Sequence, residues 1–296
     1  MADRIQICPI GFEKPRVLRG IADHPCSIVY LLISVIKKEA YPDDEHYDLH
    51  DKLVQLSTDF ASKIEEKLKK SGTYIPEIME CSFINYKETI KGLCNVMKAI
   101  FKTHPRGKNL EGIWINIGTA TPLLATAASY IASFKTDILH LFYTSASHYT
   151  INEILKPGAK IEDIVALYEE NGSTFSSKEG NGYGDVEIPV VPTERLSHDA
   201  ESILLALSKH VDAEFTPAFV SQTEILEACG EKITQAPSID ERRKIKMKYR
   251  RQFVTLLERH LIEPARSTGK ERKYKLTELG VVQALILECL TECEIM

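Results

Sequence analysis

Residues 110–133, LEGIWINIGTATPLLATAASYIAS, decide how the rest of the chain is read. Ile113, Trp114, Ile115 and Ile117 form a short apolar run of the kind found in a strand covered on both faces. Gly118 breaks the run, Thr121 can accept a free backbone N–H as an N-cap, and Pro122 suits the first helical position, where no N–H is needed. A helix that begins at a strand's carboxyl end turns its first N–H groups outward, and its dipole favours an anion. Gly118, Thr119, Ala120 and Thr121 are therefore a candidate cradle for a phosphate or another nucleotide group. Any parallel α/β domain has several such turns, and a plain structural cap is the commoner meaning of one taken alone.

The alternation extends in both directions. Residues 4–10 (RIQICPI), 27–33 (SIVYLLI), 75–81 and 138–143 (ILHLFY) read as strands. Helices are expected at 15–22, 50–70 and 86–102; in the second, Leu53, Leu56, Phe60, Ile64 and Leu68 make one apolar stripe. Parallel neighbours need crossover helices, so the pattern implies an α/β fold: a Rossmann-like, mostly parallel sheet with helices on both faces. Ligands of such sheets sit beyond the strands' carboxyl ends, which puts Gly11, Phe12 and Glu13 on the same rim as 118–121. The pattern weakens across 145–185, a long Gly- and Ser-rich loop with one short helix expected at 162–170. A strand at 186–191 and a helix from the Ser197 cap to about 209 follow, so the boundary between a first domain, 1–210, and a second, 211–296, is expected near His210.

A chain of 296 residues, 44% of them hydrophobic, is long enough for two cores. Its seven scattered cysteines include no CxxC pair and fit reduced thiols better than a disulfide framework or a zinc site, so neither metal nor cofactor is expected. The first residues lack a signal-peptide core, and the longest strongly apolar run, 28–36, is too short to span a bilayer. A cytoplasmic protein without membrane contact is the expectation. The net charge of −5 is unevenly spread: residues 241–275 hold 13 Lys and Arg against 4 Asp and Glu, a local +9. A basic segment on an acidic body points to an anionic partner for the second domain alone.

That segment opens with Ser221-Gln222-Thr223-Glu224, a capping-box spacing, and Ser238 or Asp240 can cap the next helix. There Ile245, Tyr249, Phe253, Leu256 and Leu257 share one side, while Lys244, Lys248 and Arg251 project from the other. A Ser-Thr-Gly turn at 267–269 then separates two short segments, of which Tyr274-Lys275-Leu276 leads through Thr277 into a last helix. Helix, helix and basic hairpin follow one another in the order of a winged helix-turn-helix, and Arg266, Lys270, Arg272 and Lys273 of the hairpin are expected to reach the phosphates of double-stranded DNA. A solvated charged helix and hairpin is the plainer alternative. No GxGxxG follows the first strand, and no GxxxxGK[ST], HExxH or GxSxG occurs, so no catalytic residue is assigned. His140 reads as a core histidine, whereas His148 and Tyr149 fall near the rim.

Two stretches carry a resemblance. ICPIGFEKPRVLRGIADHPCSIVYLLIS with IWINIGTATPLLATAASYIA resembles the CRISPR-associated Rossmann-fold (CARF) domain, and RRQFVTLLERHLIEPARSTGKERKYKLTELG resembles the winged-helix half of archaeal regulators that carry such a domain. The resemblance implies a homodimer that binds a nucleotide second messenger, commonly a cyclic oligoadenylate such as cyclic tetra-adenylate, with the loops after the first and fourth strands. Those loops correspond to Gly11-Phe12-Glu13 and to Asn116 through Pro122; Asn116, Thr119 and Thr121 keep the polar positions, while Ala120 stands where the family has Gly and Pro122 where it has a cation. The function implied is a ligand-regulated transcription factor linked to CRISPR or a related defence. A ring nuclease or other nucleotide hydrolase using the same pocket is the alternative.

Overall fold

The structure is a computed structural model and describes residues 2–11, 14–146, 166, 183–265 and 271–295. The chain forms two compact units, Met1–Thr193 and Glu194–Met296.

The first unit is built on six strands: β1 (Asp3–Pro9), β2 (Ile28–Val35), β3 (Ile75–Ser82), β4 (Leu110–Asn116), β5 (Leu139–Ala146) and β6 (Tyr183–Ile188). They lie in the order β3-β2-β1-β4-β5-β6; all neighbours are parallel except β5 and β6, which pair antiparallel from Leu141 opposite Ile188 to Ala146 opposite Tyr183. The expected parallel α/β sheet is thus present, with an antiparallel edge that apolar patterning alone does not announce.

Helices α1 (Lys14–Asp23), α2 (Asp44–Ser71), α3 (Tyr86–Thr103) and α4 (Pro122–Ala132) make the crossovers. The helix α1 contacts α2, and α3 packs on α4. Right-handed crossovers explain the pairing: the chain steps one way from β1 to β3, then returns past β1 to β4 and β5, so the second pair of helices covers the opposite face. Cys8 of β1, Ile10 just after it, and Val29, Leu31 and Ile33 of β2 meet Val17, Ile21, Phe60, Ile64 and Leu68 from α1 and α2 in one core cluster.

The helix α2 begins at Asp44 rather than near 50, because Asp43 caps it by accepting the His46 N–H at 2.9 Å, ahead of any apolar periodicity. It ends at Gly72, whose φ of 67° supplies the left-handed turn. All seven cysteines are free, and six are buried. Burial pushes the Cys26 and Cys81 thiols up to about 12, so these two are packing residues and poor nucleophiles.

The second unit contains α5 (His198–Ser208), α6 (Gln222–Ala228), α7 (Ile239–Lys248), α8 (Arg250–Glu258) and α9 (Glu278–Glu292), with a small antiparallel sheet of β7 (Val220–Ser221), β8 (Ile262–Pro264) and β9 (Lys273–Leu276) in the order β7-β9-β8. The helix α5 packs on α9, α6 and α8, which is why the units divide at 193/194 and not near 210. The expected capping box is present: the Ser221 hydroxyl accepts the Glu224 N–H, and a Glu224 carboxylate oxygen accepts the Ser221 N–H at 3.0 Å. The single helix expected after Ser238 is two, broken at Tyr249. No helix among the described residues is long and apolar enough to cross a membrane.

Candidate functional site

Two sites emerge, one in each unit. In the first, the sheet order reverses between β1 and β4, and the turns that follow these two strands touch: a Cβ on Gly11 would lie 3.1 Å from the Thr119 carbonyl oxygen, and the Thr119 hydroxyl donates to the Pro9 carbonyl at 2.6 Å. Such a reversal opens a crevice at the strands' carboxyl ends.

A pocket of about 450 Å3 occupies this place. Pro9, Ile10 and Gly11 at the end of β1 line it, with Ser34 and Ile36 at the end of β2. Phe83 and Ile84 follow β3, Thr119 and Thr121 belong to the β4–α4 turn, and His50, Leu53, Val54 and Ser57 come from α2. Tyr41 completes the wall, its ring centroid 5.0 Å from that of His50 and 5.9 Å from that of Tyr47. Burial, with Tyr47 nearby, pushes the Tyr41 hydroxyl above its ordinary value, so it stays protonated.

Of the rim residues expected from sequence, Gly11, Thr119 and Thr121 line this pocket. Thr121 is also the cap of α4, accepting the Leu124 N–H at 3.2 Å. Asn116 and Gly118 are buried and serve the turn itself: the Asn116 side-chain oxygen accepts the Gly118 N–H at 2.9 Å, and a Cβ on Gly118 would stand 2.8 Å from the Thr144 backbone. Ala120 is half-buried beside them, outside the lining. Phe12, Glu13, His148, Tyr149 and the helix expected at 162–170 lie outside the described residues, apart from residue 166. His140 stacks on Trp114 at 4.7 Å, remote from the pocket lining. The aromatic and hydroxyl wall from Ser34, Tyr41, His50 and Phe83 was missed in the sequence; the 3₁₀ turn Lys38–Ala40 that delivers Tyr41 has no periodic pattern to reveal it.

In the second unit a groove of about 600 Å3 runs between the α7–α8 helical segment and β9. Arg242, Arg243, Lys246 and Arg250 line it from the helices, and Arg272 lines it from the strand side. Ile239, Met247 and Val254 lie among these cations and are 82%, 55% and 42% exposed. Glu271 ties the two walls together, accepting from the Lys246 ammonium at 3.1 Å and from the Thr223 hydroxyl, and these contacts hold its carboxyl below the usual range.

Among the described residues of the expected DNA-contacting set, only Arg272 lines the groove. Lys248 is exposed but pairs with Glu231 at 2.7 Å, an arrangement that also takes the Tyr249 hydroxyl at 3.0 Å and anchors the break between α7 and α8. Arg251 lines a shallow depression with Arg250, Thr255 and Glu258, and Lys244 and Lys273 are exposed outside the groove lining. Arg266 and Lys270 lie outside the described residues. Arg242, Arg243, Lys246 and Arg250 are the cations that sequence reasoning passed over. Three of them lie on α7, which has no buried stripe to orient it, and Arg250 opens α8 beyond the break at Tyr249, so one helical wheel drawn through both helices could not place them. Among the described residues no His, Cys, Asp or Glu cluster could hold a metal ion.

Among solved structures, the chain is similar to Enterococcus italicus Csm6 bound to cyclic hexa-2'-fluoro-hexa-dAMP, at 13% identity and a TM-score of 0.36 over 88% of this chain and 54% of that one. It thus spans about half the length of that protein. A second likeness, to Drosophila ORC bound to AT-rich DNA and Cdc6, has 13% identity and a TM-score of 0.22 over 98% and 86% of the two chains. No curated protein matches the chain. Within the first unit, residues 4–149 match the family model described as "HFX_2341_N:-like, N-terminal", and this stretch of the chain is accordingly similar to that family.

Proposed function

We propose that the chain is a ligand-regulated, DNA-binding transcription factor whose second unit is a winged helix-turn-helix and whose first unit senses a nucleotide. The observation that carries this reading is the groove in which five cations, Arg242, Arg243, Lys246, Arg250 and Arg272, flank one helical face and one strand. Cations supply the phosphate-neutralising term of duplex binding, and the exposed Ile239, Met247 and Val254 between them offer apolar contacts to base edges. The element order α5-β7-α6-α7-α8-β8-β9 with the sheet order β7-β9-β8 supports the winged-helix reading, in which the β8–β9 hairpin would be the wing. For the first unit, the rim pocket between β1 and β4 supports a small-molecule signal, and the resemblance to CARF domains supports a nucleotide such as a cyclic oligoadenylate acting on a homodimer in CRISPR or a related defence. A ligand that binds one DNA-binding state of that dimer better than the other shifts its affinity for the operator.

The test is fluorescence-anisotropy binding of the full chain to the DNA upstream of its own gene and to a scrambled duplex, with and without cyclic tetra-adenylate. Tighter binding to the upstream DNA, changed by the nucleotide, is expected. Equal, weak binding to both duplexes at moderate salt removes the regulator reading.

A further inference from the structure

We propose that the rim pocket of the first unit takes an uncharged nucleoside moiety, its base held against Tyr41 and His50, and that the phosphates of any nucleotide ligand remain outside it. This deepens the nucleotide-sensor reading and rests on it. The pocket's volume of about 450 Å3 lies in the lower part of the range for small-molecule sites, suited to one nucleoside rather than to a ring of several nucleotides.

It offers no fixed charge. Among the described lining residues there is no Lys, Arg, Asp or Glu. The nearest lysines in sequence to Tyr41 are already engaged: Lys37 pairs with Glu88 at 3.6 Å, and Lys38 pairs with Asp44 at 3.1 Å and sits 5.8 Å from the Tyr47 ring centre. Two amides that a phosphate would use at the β4–α4 turn are also taken, Gly118 N–H by Asn116 and Leu124 N–H by Thr121. An anion would therefore enter without a lysine or arginine to pair with, at a cost that a neutral group avoids.

A nucleobase finds what it needs. The Tyr41 and His50 rings, tilted 47° to each other, and Phe83 in the lining provide aromatic surface. Leu53 and Val54 provide apolar walls, and among the described residues the Ser34 and Tyr41 hydroxyls have no hydrogen-bond partner, leaving them for a base edge or a ribose.

Isothermal titration calorimetry of the full chain tests the assignment with adenosine, guanosine, cytidine and uridine, the matching 5′-monophosphates, and inorganic phosphate as competitor. At least one nucleoside is expected to bind, with its monophosphate within about threefold and no displacement by inorganic phosphate. Tyr41→Ala is expected to weaken it about tenfold or more and Tyr41→Phe by less, with circular dichroism showing both variants folded. Absence of nucleoside binding up to about 1 mM overturns the proposal. So does a monophosphate that binds more than about tenfold tighter than its nucleoside, since that gain requires the phosphate to be held inside the pocket. Failure of the sensor reading has a different signature. A nucleoside bound through Tyr41 that leaves duplex affinity unchanged keeps the pocket and removes the sensor. Duplex affinity shifted by cyclic tetra-adenylate equally in the parent and in Tyr41→Ala keeps the sensor and removes the pocket assignment.

Discussion

Replacing Arg243 and Arg250 together by alanine isolates the electrostatic part of the proposed DNA contact. Five cations line the groove, and Lys246 among them is held by Glu271, which leaves four, Arg242, Arg243, Arg250 and Arg272, to meet phosphates. Each phosphate neutralised contributes about −0.9 to the slope of log affinity against log salt, so four give about −3.6 per chain. Between 50 and 200 mM salt that slope corresponds to a loss of about 150-fold, and with the two arginines removed the slope falls to about −1.8 and the loss to about 12-fold. Both side chains are exposed, and no ion pair of either is seen among the described residues, so unfolding stability should move by no more than about 0.5 kcal/mol. The assay is anisotropy of a labelled duplex at four or more salt concentrations, with the Lys244→Ala chain as control because Lys244 is a cation outside the groove lining. A slope unchanged in the double variant, or reduced as much by Lys244→Ala, refutes the groove as the phosphate-contacting surface.

Three further outcomes are expected. Gly280→Ala should destabilise the second unit by about 3 kcal/mol or more, because the added Cβ would overlap the Leu261 carbonyl oxygen with the carbonyl carbon only 2.9 Å away; urea unfolding followed by circular dichroism measures it. Asn116→Ala should cost about 1–3 kcal/mol, since it strands the buried Gly118 N–H, and the emission of Trp114, the chain's single tryptophan and a part of the same strand, reports the transition. Hydrogen bonds with His104 and Ser27 hold the Asp3 carboxyl below its ordinary value, so the stabilisation it gives is present above the unfolded aspartate value and is lost as pH falls through the lower folded value. Asp3→Asn should therefore flatten the acid limb of a stability–pH profile below about pH 4, by less than about 1 kcal/mol because the side chain is 40% exposed.

The strand–helix alternation of the first unit was legible because each buried strand carries a dense apolar run and each helix a stripe, down to the Thr121 cap and Pro122 start of α4. Strand direction was not: β6 is antiparallel, and an apolar-polar pattern reads the same in either direction along a strand. The start of α2 was hidden because Asp44 and Glu45 are held by a cap and not by burial. At the rim, Thr119 was found from its turn, but Asn116 and Gly118 showed only as polar or small residues, and their use within the turn depends on how closely β5 approaches. In the second unit the basic content was plain, yet helical spacing gives the buried stripe without saying which flank meets the neighbouring strand. Lys248 was drawn away by Glu231, a residue 17 positions earlier that no local pattern connects to it.

The helix α7 buries none of its side chains. Its order comes from local devices: the Ser238 cap on the Glu241 N–H, Asp240 and Glu241 at its positive end, Lys246 and Lys248 at its negative end, and the Tyr249–Glu231 link at its base. A segment held this way opens at a free energy far below that of the core, so its amide protons should exchange with solvent well before those of α9. In the proposed complex, a duplex that engages Arg242 and Arg243 would complete the ordering of the helix that presents them. Part of the binding free energy would then go into local folding, and a helix-favouring substitution at a solvent-facing position of α7 is expected to tighten binding without adding a single contact.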